Sequence, residues 1–227
     1  MNRKITLLVA LLMATAIPSL AQEAYKNPKL SAEERAEGFK VVYEGHACQW
    51  NGPSWPFATA QTLTGLARTL QRDGESANIT KDVYFETLQT YSNSHRRVNE
   101  DGKTVCWIDE NLNPFTGDWI SRTMLLAIDY KYKERGKDYN HSSFCDLVIS
   151  GLVGVQPQAD GSIVIEPLIP EGEWDWFSLS RIPCAGKEIS VIYDRTGEHY
   201  GCKPGLTVYV DGKKAAHSET YSTSITL

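Results

Sequence analysis

The sequence predicts an α+β chain in which a helical part precedes an antiparallel β-rich part. Apolar residues between positions 56 and 153 recur at helical spacing. Beyond residue 155 the period drops from 3.6 to about 2. Turn chemistry also thickens in the second part, at Asp194-Arg195-Thr196-Gly197 and Asp211-Gly212. Separate runs of helices and strands imply segregated layers, not a parallel α/β sheet. The organisation expected is a targeting segment at 1–21, a helical domain at 22–155 and a β-sandwich-like domain at 156–227.

The first element is not a folding unit. Arg3 and Lys4 precede the apolar run Ile5 to Ile17, and Pro18-Ser19-Leu20-Ala21 has the small residues of a cleavage site. This is the pattern of a secretory signal peptide, too short to span a bilayer. The expectation is an exported protein, periplasmic or extracellular, starting near Gln22.

A short helix is expected over Ser31 to Lys40, capped by Ser31, with Glu33 and Glu34 in its first turn. A stronger one follows Pro56, with Leu63, Leu66, Ala67 and Leu70 on one face and Asp73-Gly74 as its stop. Thr80 caps the next, whose inner face is Tyr84, Leu88 and Tyr91. A fourth places Ile120, Met124, Ala127 and Ile128 on one face and ends before Gly136. Ser142 or Ser143 starts the last, an apolar turn or two with Phe144, Leu147, Val148, Gly151 and Leu152. Strands are expected at Ser162 to Ile165, Trp174 to Ile182, Glu188 to Tyr193 and Leu206 to Val210. Pro157, Pro167, Pro170 and Pro183 mark strand ends or edges.

Composition removes several classes of function. Without Arg3 and Lys4 the 23 basic residues become 21 against 28 acidic ones, a balance of about −7 with no basic cluster. Nucleic acid and anionic membrane are poor partners for such a surface. No later segment reaches the roughly 18 apolar residues of a membrane span. Five cysteines leave at least one unpaired within the chain, and they show no CxxC spacing. The five histidines are scattered, so neither a metal nor a cofactor is expected.

Three stretches could carry chemistry. In "CQWNGPSWP", Trp50 and Trp55 flank an Asn-Gly-Pro turn that includes Asn51. Indole rings stack on the apolar face of a sugar while amides bond its hydroxyls, so the stretch suits a glycan pocket. A tight turn holding two core tryptophans explains it equally well. In "CWIDENLNPFTGDW", Asp109 and Glu110 are neighbours, and extended or turn backbone sends neighbouring side chains apart. Only one of them enters a pocket, whereas glycoside hydrolysis needs two carboxyl groups on opposite sides of the bond. A solvated loop is the bland alternative. In "YNHSSFCD", His and Ser lie close, but no GxSxG elbow exists and a serine cap explains the stretch without a nucleophile.

Taken in order, "CQWNGPSWPFATAQTLTGLA", "WIDENLNPFTGDW" and "YNHSSFCDLVISGLVGVQP" resemble the C-terminal part of bacterial glycosidases built as toroids of six helical hairpins. The similarity is to the mannosylglycerate-hydrolase-like group allied to glycoside hydrolase family 63. "IEPLIP", "WDWFSLSRIP", "GKEISVIYDRTG" and "GLTVYVDG" resemble the β-rich tail of the same proteins. The resemblance implies a partial (α/α)6 toroid of four or five helices followed by a C-terminal antiparallel β-rich domain. It implies that Glu110 is the general base of an inverting hydrolase. By the same resemblance Trp50, Asn51 and Trp55 wall the subsite of the sugar to be cleaved, with Trp107 and Trp119 supporting Glu110.

Two departures accompany it. The family's general acid is an aspartate on a hairpin upstream of the tryptophan motif, and no acidic motif here matches it, although Glu33, Glu34, Glu37 and Glu44 are present. Cys184-Ala185-Gly186 stands where the family tends to show an aromatic-His-Gly. The expectation is therefore a shortened glycosidase of carbohydrate substrates, α-linked by the resemblance, with little or no independent turnover. Its alternatives are a half-enzyme completed by a chain supplying the missing helical hairpins, and a non-catalytic carbohydrate-binding module.

Overall fold

In the computed structural model, residues 54–99, 101–112, 119, 137–139 and 142–226 are described. The elements are α1 (Pro56–Asp73), α2 (Lys81–Ser94), β1 (Arg96–Val98), β2 (Thr104–Cys106) and α3 (Ser142–Asp146), which runs into a π-helical turn at Leu147–Leu152. Then come β3 (Val155–Pro157), β4 (Ser162–Ile165), β5 (Trp176–Cys184), β6 (Lys187–Asp194), β7 (Gly205–Val210), β8 (Lys213–Ser218) and β9 (Thr223–Thr226). This is the α+β arrangement with a C-terminal β-rich region that the change of period predicts. The helices expected at Ser31 to Lys40 and around Ile120 to Ile128 lie outside the described residues. Among the described residues no helix is long and apolar enough to cross a membrane.

The chain divides into two compact units, one holding Met1–Trp55 with Asp109–Lys137, the other Pro56–Ile108 with Asp138–Leu227. In the second unit, α1 starts on Pro56, whose missing amide hydrogen costs nothing in a first turn. It buries Ala60, Leu63, Ala67 and Leu70 and stops at Gly74, whose φ of +77° lets its N–H reach the Leu70 carbonyl at 3.0 Å. The Thr80 side chain caps α2 by accepting from the Val83 amide at 3.2 Å. The buried face of α2 is Tyr84, Phe85, Leu88 and Tyr91.

Tyr84 joins the helices. Its hydroxyl, buried with the ring, donates to the Leu147 carbonyl at 2.9 Å. A Cβ at position 151 would stand 2.0 Å from that oxygen, so only glycine lets the tyrosine approach the π turn. The turn is widened rather than α-helical, and the Val153 amide donates to Val148 at 2.9 Å, a five-residue step. Gly154 follows at φ +73°, and any side chain there would strike the Glu166 backbone.

Besides the two-stranded β1-β2 sheet, the strands form two larger antiparallel sheets, one ordered β3-β4-β9 and the other β5-β6-β7-β8. Ile163, Ile165 and Ile225 of the first and Ile189, Val191, Leu206 and Val208 of the second are buried in one cluster with Leu63 and Tyr84 of the helices. Alternation along β4 and β6 puts these residues on one face, as their period of two predicts. Asp211 and Gly212 both adopt positive φ, the two-residue turn that matches the twist of a hairpin. Ala185 and Gly186 do the same between β5 and β6. The Cys184-Ala185-Gly186 departure is thus a hairpin tip, with an alanine where Asn would sit with less strain.

Corrections to the sequence reading are local. The strand expected at Trp174 to Ile182 is Trp176–Cys184, and Pro183 lies within it, tolerated because β5 is an edge strand. The β1–β2 hairpin and strands β3, β8 and β9 carry too few alternating apolar residues to register as strands. The Asp101-Gly102 turn was the available signal for the first: Asn99 Oδ1 accepts the Lys103 amide at 2.9 Å and Gly102 takes φ +74°.

Asp194, at the end of β6, is buried and organises the next loop. Its carboxylate accepts the amides of Gly197 at 2.8 Å, Tyr200 at 2.8 Å and Thr196 at 3.3 Å. Burial pushes this carboxyl up, but the amides of Tyr200, Gly197, Thr196 and His199 outweigh it and hold it below its ordinary value. A depressed folded pKa stabilises above the unfolded value of about 3.9 and is lost as pH falls through the folded one. Asp194→Asn should therefore lower the urea midpoint at pH 7, and the gap from wild type should narrow as the pH falls below about 4.

Candidate functional site

Glu110 lies in the first compact unit, on a segment whose neighbours are fixed by backbone pairing. Ser54 and Leu112 exchange both hydrogen bonds, N–H to O at 2.8 Å in one direction and 2.9 Å in the other. In an antiparallel bridge the residue after Ser54 runs alongside the residues before Leu112. Trp55 is thereby set opposite Asn111, the residue next to Glu110. A second antiparallel bridge sets Leu112 beside Trp119, which is 2% exposed.

The carboxylate doublet is split by burial. Asp109 is 1% exposed, and its Oδ1 accepts the Glu110 amide at 2.7 Å. Glu110 is half-buried. Asp109 holds the backbone amide of its neighbour, while Glu110 keeps contact with solvent. A carboxylate of this kind can accept a proton from a water held beside it. Asn111 is fully buried, a burial its sequence neighbourhood of Asn, Pro and Gly did not announce.

In the second unit, Trp107 is buried and its backbone amide donates to the His95 backbone carbonyl at 3.0 Å. The Arg97 guanidinium sits 4.1 Å over its ring, a cation–π contact supplied by β1. His95 packs edge-on against Tyr91 at 4.6 Å and Phe144 at 4.8 Å. Burial holds its imidazole below the ordinary value and pushes the Tyr91 phenol up to about 12. Neither Arg97 nor His95 was marked by any motif; only the fold puts the Arg97 guanidinium over Trp107 and the His95 ring against Tyr91 and Phe144.

Of the residues singled out from sequence, Trp55, Glu110 and Trp119 therefore fall on paired segments of one unit, and Trp107 falls in the other. Trp50 and Asn51 lie outside the described residues. Ser142 opens α3, and Cys106, Cys145, Cys184 and Cys202 are free thiols.

Residues 14–142 match the family model of the mannosylglycerate hydrolase MGH1-like glycoside hydrolase domain. The chain belongs to this glycoside hydrolase family. The resemblance read from the tryptophan and "ENLNPFTG" motifs is thus borne out. Residues 158–217 match the C-terminal domain of glycosyl hydrolase family 65, which accounts for the β-rich part of this MGH1-like chain. A solved structure described as a sialidase is 36% identical, with a TM-score of 0.65. The alignment covers 78% of this chain but 15% of that one, so the MGH1-like chain spans a small part of the length of the structure it matches. Glycoside hydrolase domains act on carbohydrate, which is the ligand class the sequence led us to expect.

The bond from Asp109 to the Glu110 amide gives a prediction. Asp109→Ala leaves a part-buried amide without that acceptor and should cost about 1–3 kcal/mol in urea unfolding followed by tryptophan fluorescence. Asp109→Asn keeps an oxygen in place and should lose less.

Proposed function

We propose that this chain carries the base half of the catalytic centre of an exported, inverting glycoside hydrolase of α-linked glycans. Glu110 takes a proton from a water that attacks the anomeric carbon opposite the leaving group. Trp55, together with Trp50 and Asn51, lines the subsite of the sugar that is cleaved, and Trp119 supports the glutamate. The observation that carries the reading is the Ser54–Leu112 bridge, which brings Trp55 to the segment of a half-buried glutamate.

Inversion also needs a protonated carboxyl group about 6.5–9.5 Å from the base. Among the described residues of that unit the other carboxylate is Asp109, adjacent in sequence and turned to the backbone. In our reading the acid comes from outside the described residues, from this polypeptide or from a chain that completes the helical toroid. The small share of the matched sialidase structure that this chain spans favours such completion.

Hydrolysis of aryl α-glycosides and α-linked disaccharides tests the role of Glu110. The assay is run on this chain alone and with any helical segment encoded beside it. Glu110→Gln should lower turnover by about 100- to 10,000-fold, the usual worth of a general base. Turnover unchanged in Glu110→Gln would sink the assignment. Product analysis by NMR should show the anomeric configuration inverted. Export rests on Arg3, Lys4 and the apolar run after them. The N-terminal sequence of the protein recovered outside the cytoplasm should begin near Gln22.

A further inference from the structure

The β1–β2 hairpin has two unlike faces. Arg97 lies opposite Val105 and Arg96 opposite Cys106, and the bond from the Trp107 amide to the His95 carbonyl continues the ladder. Strand alternation therefore puts His95, Arg97, Val105 and Trp107 on one face and Arg96, Val98, Thr104 and Cys106 on the other. All four of the second set are exposed, Val98 most plainly at 64%. The first set is turned inward, each member buried or half-buried.

His95 is where this inward face meets the helices. Its ring touches Tyr91 of α2 and Phe144 of α3, and those two rings meet each other at 5.7 Å. Its Nε2 is buried, and among the described residues no group hydrogen-bonds it. A neutral imidazole tolerates this, because one of its nitrogens carries no hydrogen. An imidazolium carries N–H on both, and a buried donor without an acceptor costs its full desolvation. The groups packed around the ring supply no counter-charge. On α2, residues 87–94 hold no charged side chain, and Tyr91 stays a neutral phenol because burial pushes it up to about 12. On α3 the contact is Phe144, while Cys145 and Asp146 are exposed. On the hairpin itself, Arg97 shares the inward face and adds a positive charge, with Arg96 on the outer one. Burial accordingly holds the imidazole below its ordinary value.

We propose that His95 is an acid-sensitive latch: when its imidazole takes up a proton, the β1–β2 hairpin releases its inward face from α2 and α3. A two-stranded hairpin is marginal in water by itself, so its pairing is lost with that face and Trp107 is uncovered. Between about pH 6.5 and the lower value of the packed ring, the open hairpin binds a proton that the packed one does not. Opening therefore grows as pH falls, by at most about tenfold per pH unit for one proton. The second strand leads through Ile108 into Asp109 and Glu110, so the latch sets an acid limit on the order of the chain entering that segment. It does so whatever the role of Glu110.

Hydrogen exchange read by mass spectrometry tests the latch on the wild-type chain and on His95→Phe, which keeps a ring in the cluster but cannot titrate. Both are followed from about pH 7.5 to about 5.5, with intrinsic exchange rates corrected for pH. Wild-type protection over residues 96–107 should fall several-fold, up to about tenfold, while β6 and β7 stay protected. The same peptide of His95→Phe should show no such fall. No fall in the wild type, an equal fall in the variant, or an equal fall in β6 and β7 would each overturn the proposal. Proton NMR of the wild type, with the His95 signal identified by its loss in the variant, should give a midpoint below about 6.5. A midpoint at or above that value, as cation–π attraction from Tyr91 and Phe144 would produce, also overturns it. His95→Leu supplies both comparisons if circular dichroism shows that His95→Phe does not fold.

Discussion

A buried phenol holds the larger unit together. Tyr84 spends its hydroxyl on the Leu147 carbonyl, and Gly151 supplies the room for it. A buried polar group must be paired or it costs free energy, and an interior at crystal-like density leaves no slack for a stray methyl. These two conditions act at the same point. They fix α2 against the π turn, and the π turn delivers the chain through Gly154 into β3. The Glu166 amide bonds the Gly154 carbonyl at 3.0 Å and the Leu168 amide bonds Leu152 at 3.0 Å, so β4's exit is tied to the same corner. Helices and sheets consequently share one apolar cluster.

The candidate site depends on a different kind of constraint. Side-chain chemistry chose Glu110 and the tryptophans, but two backbone hydrogen bonds between Ser54 and Leu112 align their segments. A pair that exchanges both bonds fixes register, and register decides which residues run side by side. Asp109 then settles which member of the doublet is structural, since its burial and its bond to the Glu110 amide leave it no solvent-facing role. The two adjacent acids do different jobs because one serves the backbone.

The β-rich part shows how a surface feature is made rigid without a core. Asp194 is buried, yet it stays ionised because four amide groups point at it, and those amides belong to the loop that carries His199 and Tyr200. An electrostatic arrangement at the end of one strand therefore determines where the exposed indole of Trp176, at the start of another, can rest on His199. The same logic of oriented backbone amides appears in smaller form at Asn99 and at Thr80.

The amino-acid order determined the elements with strong local signals. Leu63, Ala67 and Leu70 spell a helix, Thr80 its neighbour's cap, and the alternation of Ile189, Val191 and Tyr193 a strand, because periodicity and capping act over a few residues. The family was legible for a similar reason: its tryptophan and carboxylate motifs are contiguous. Short or weakly apolar strands such as Lys213–Ser218 were not legible, since their pairing partners supply the stability that their own residues lack. Nor could the sequence pair Ser54 with Leu112, put Arg97 over Trp107 or stack Trp176 on His199. Contacts between residues far apart in the chain, or across a strand and a loop, are set by register and packing, which exist only once the chain has closed on itself.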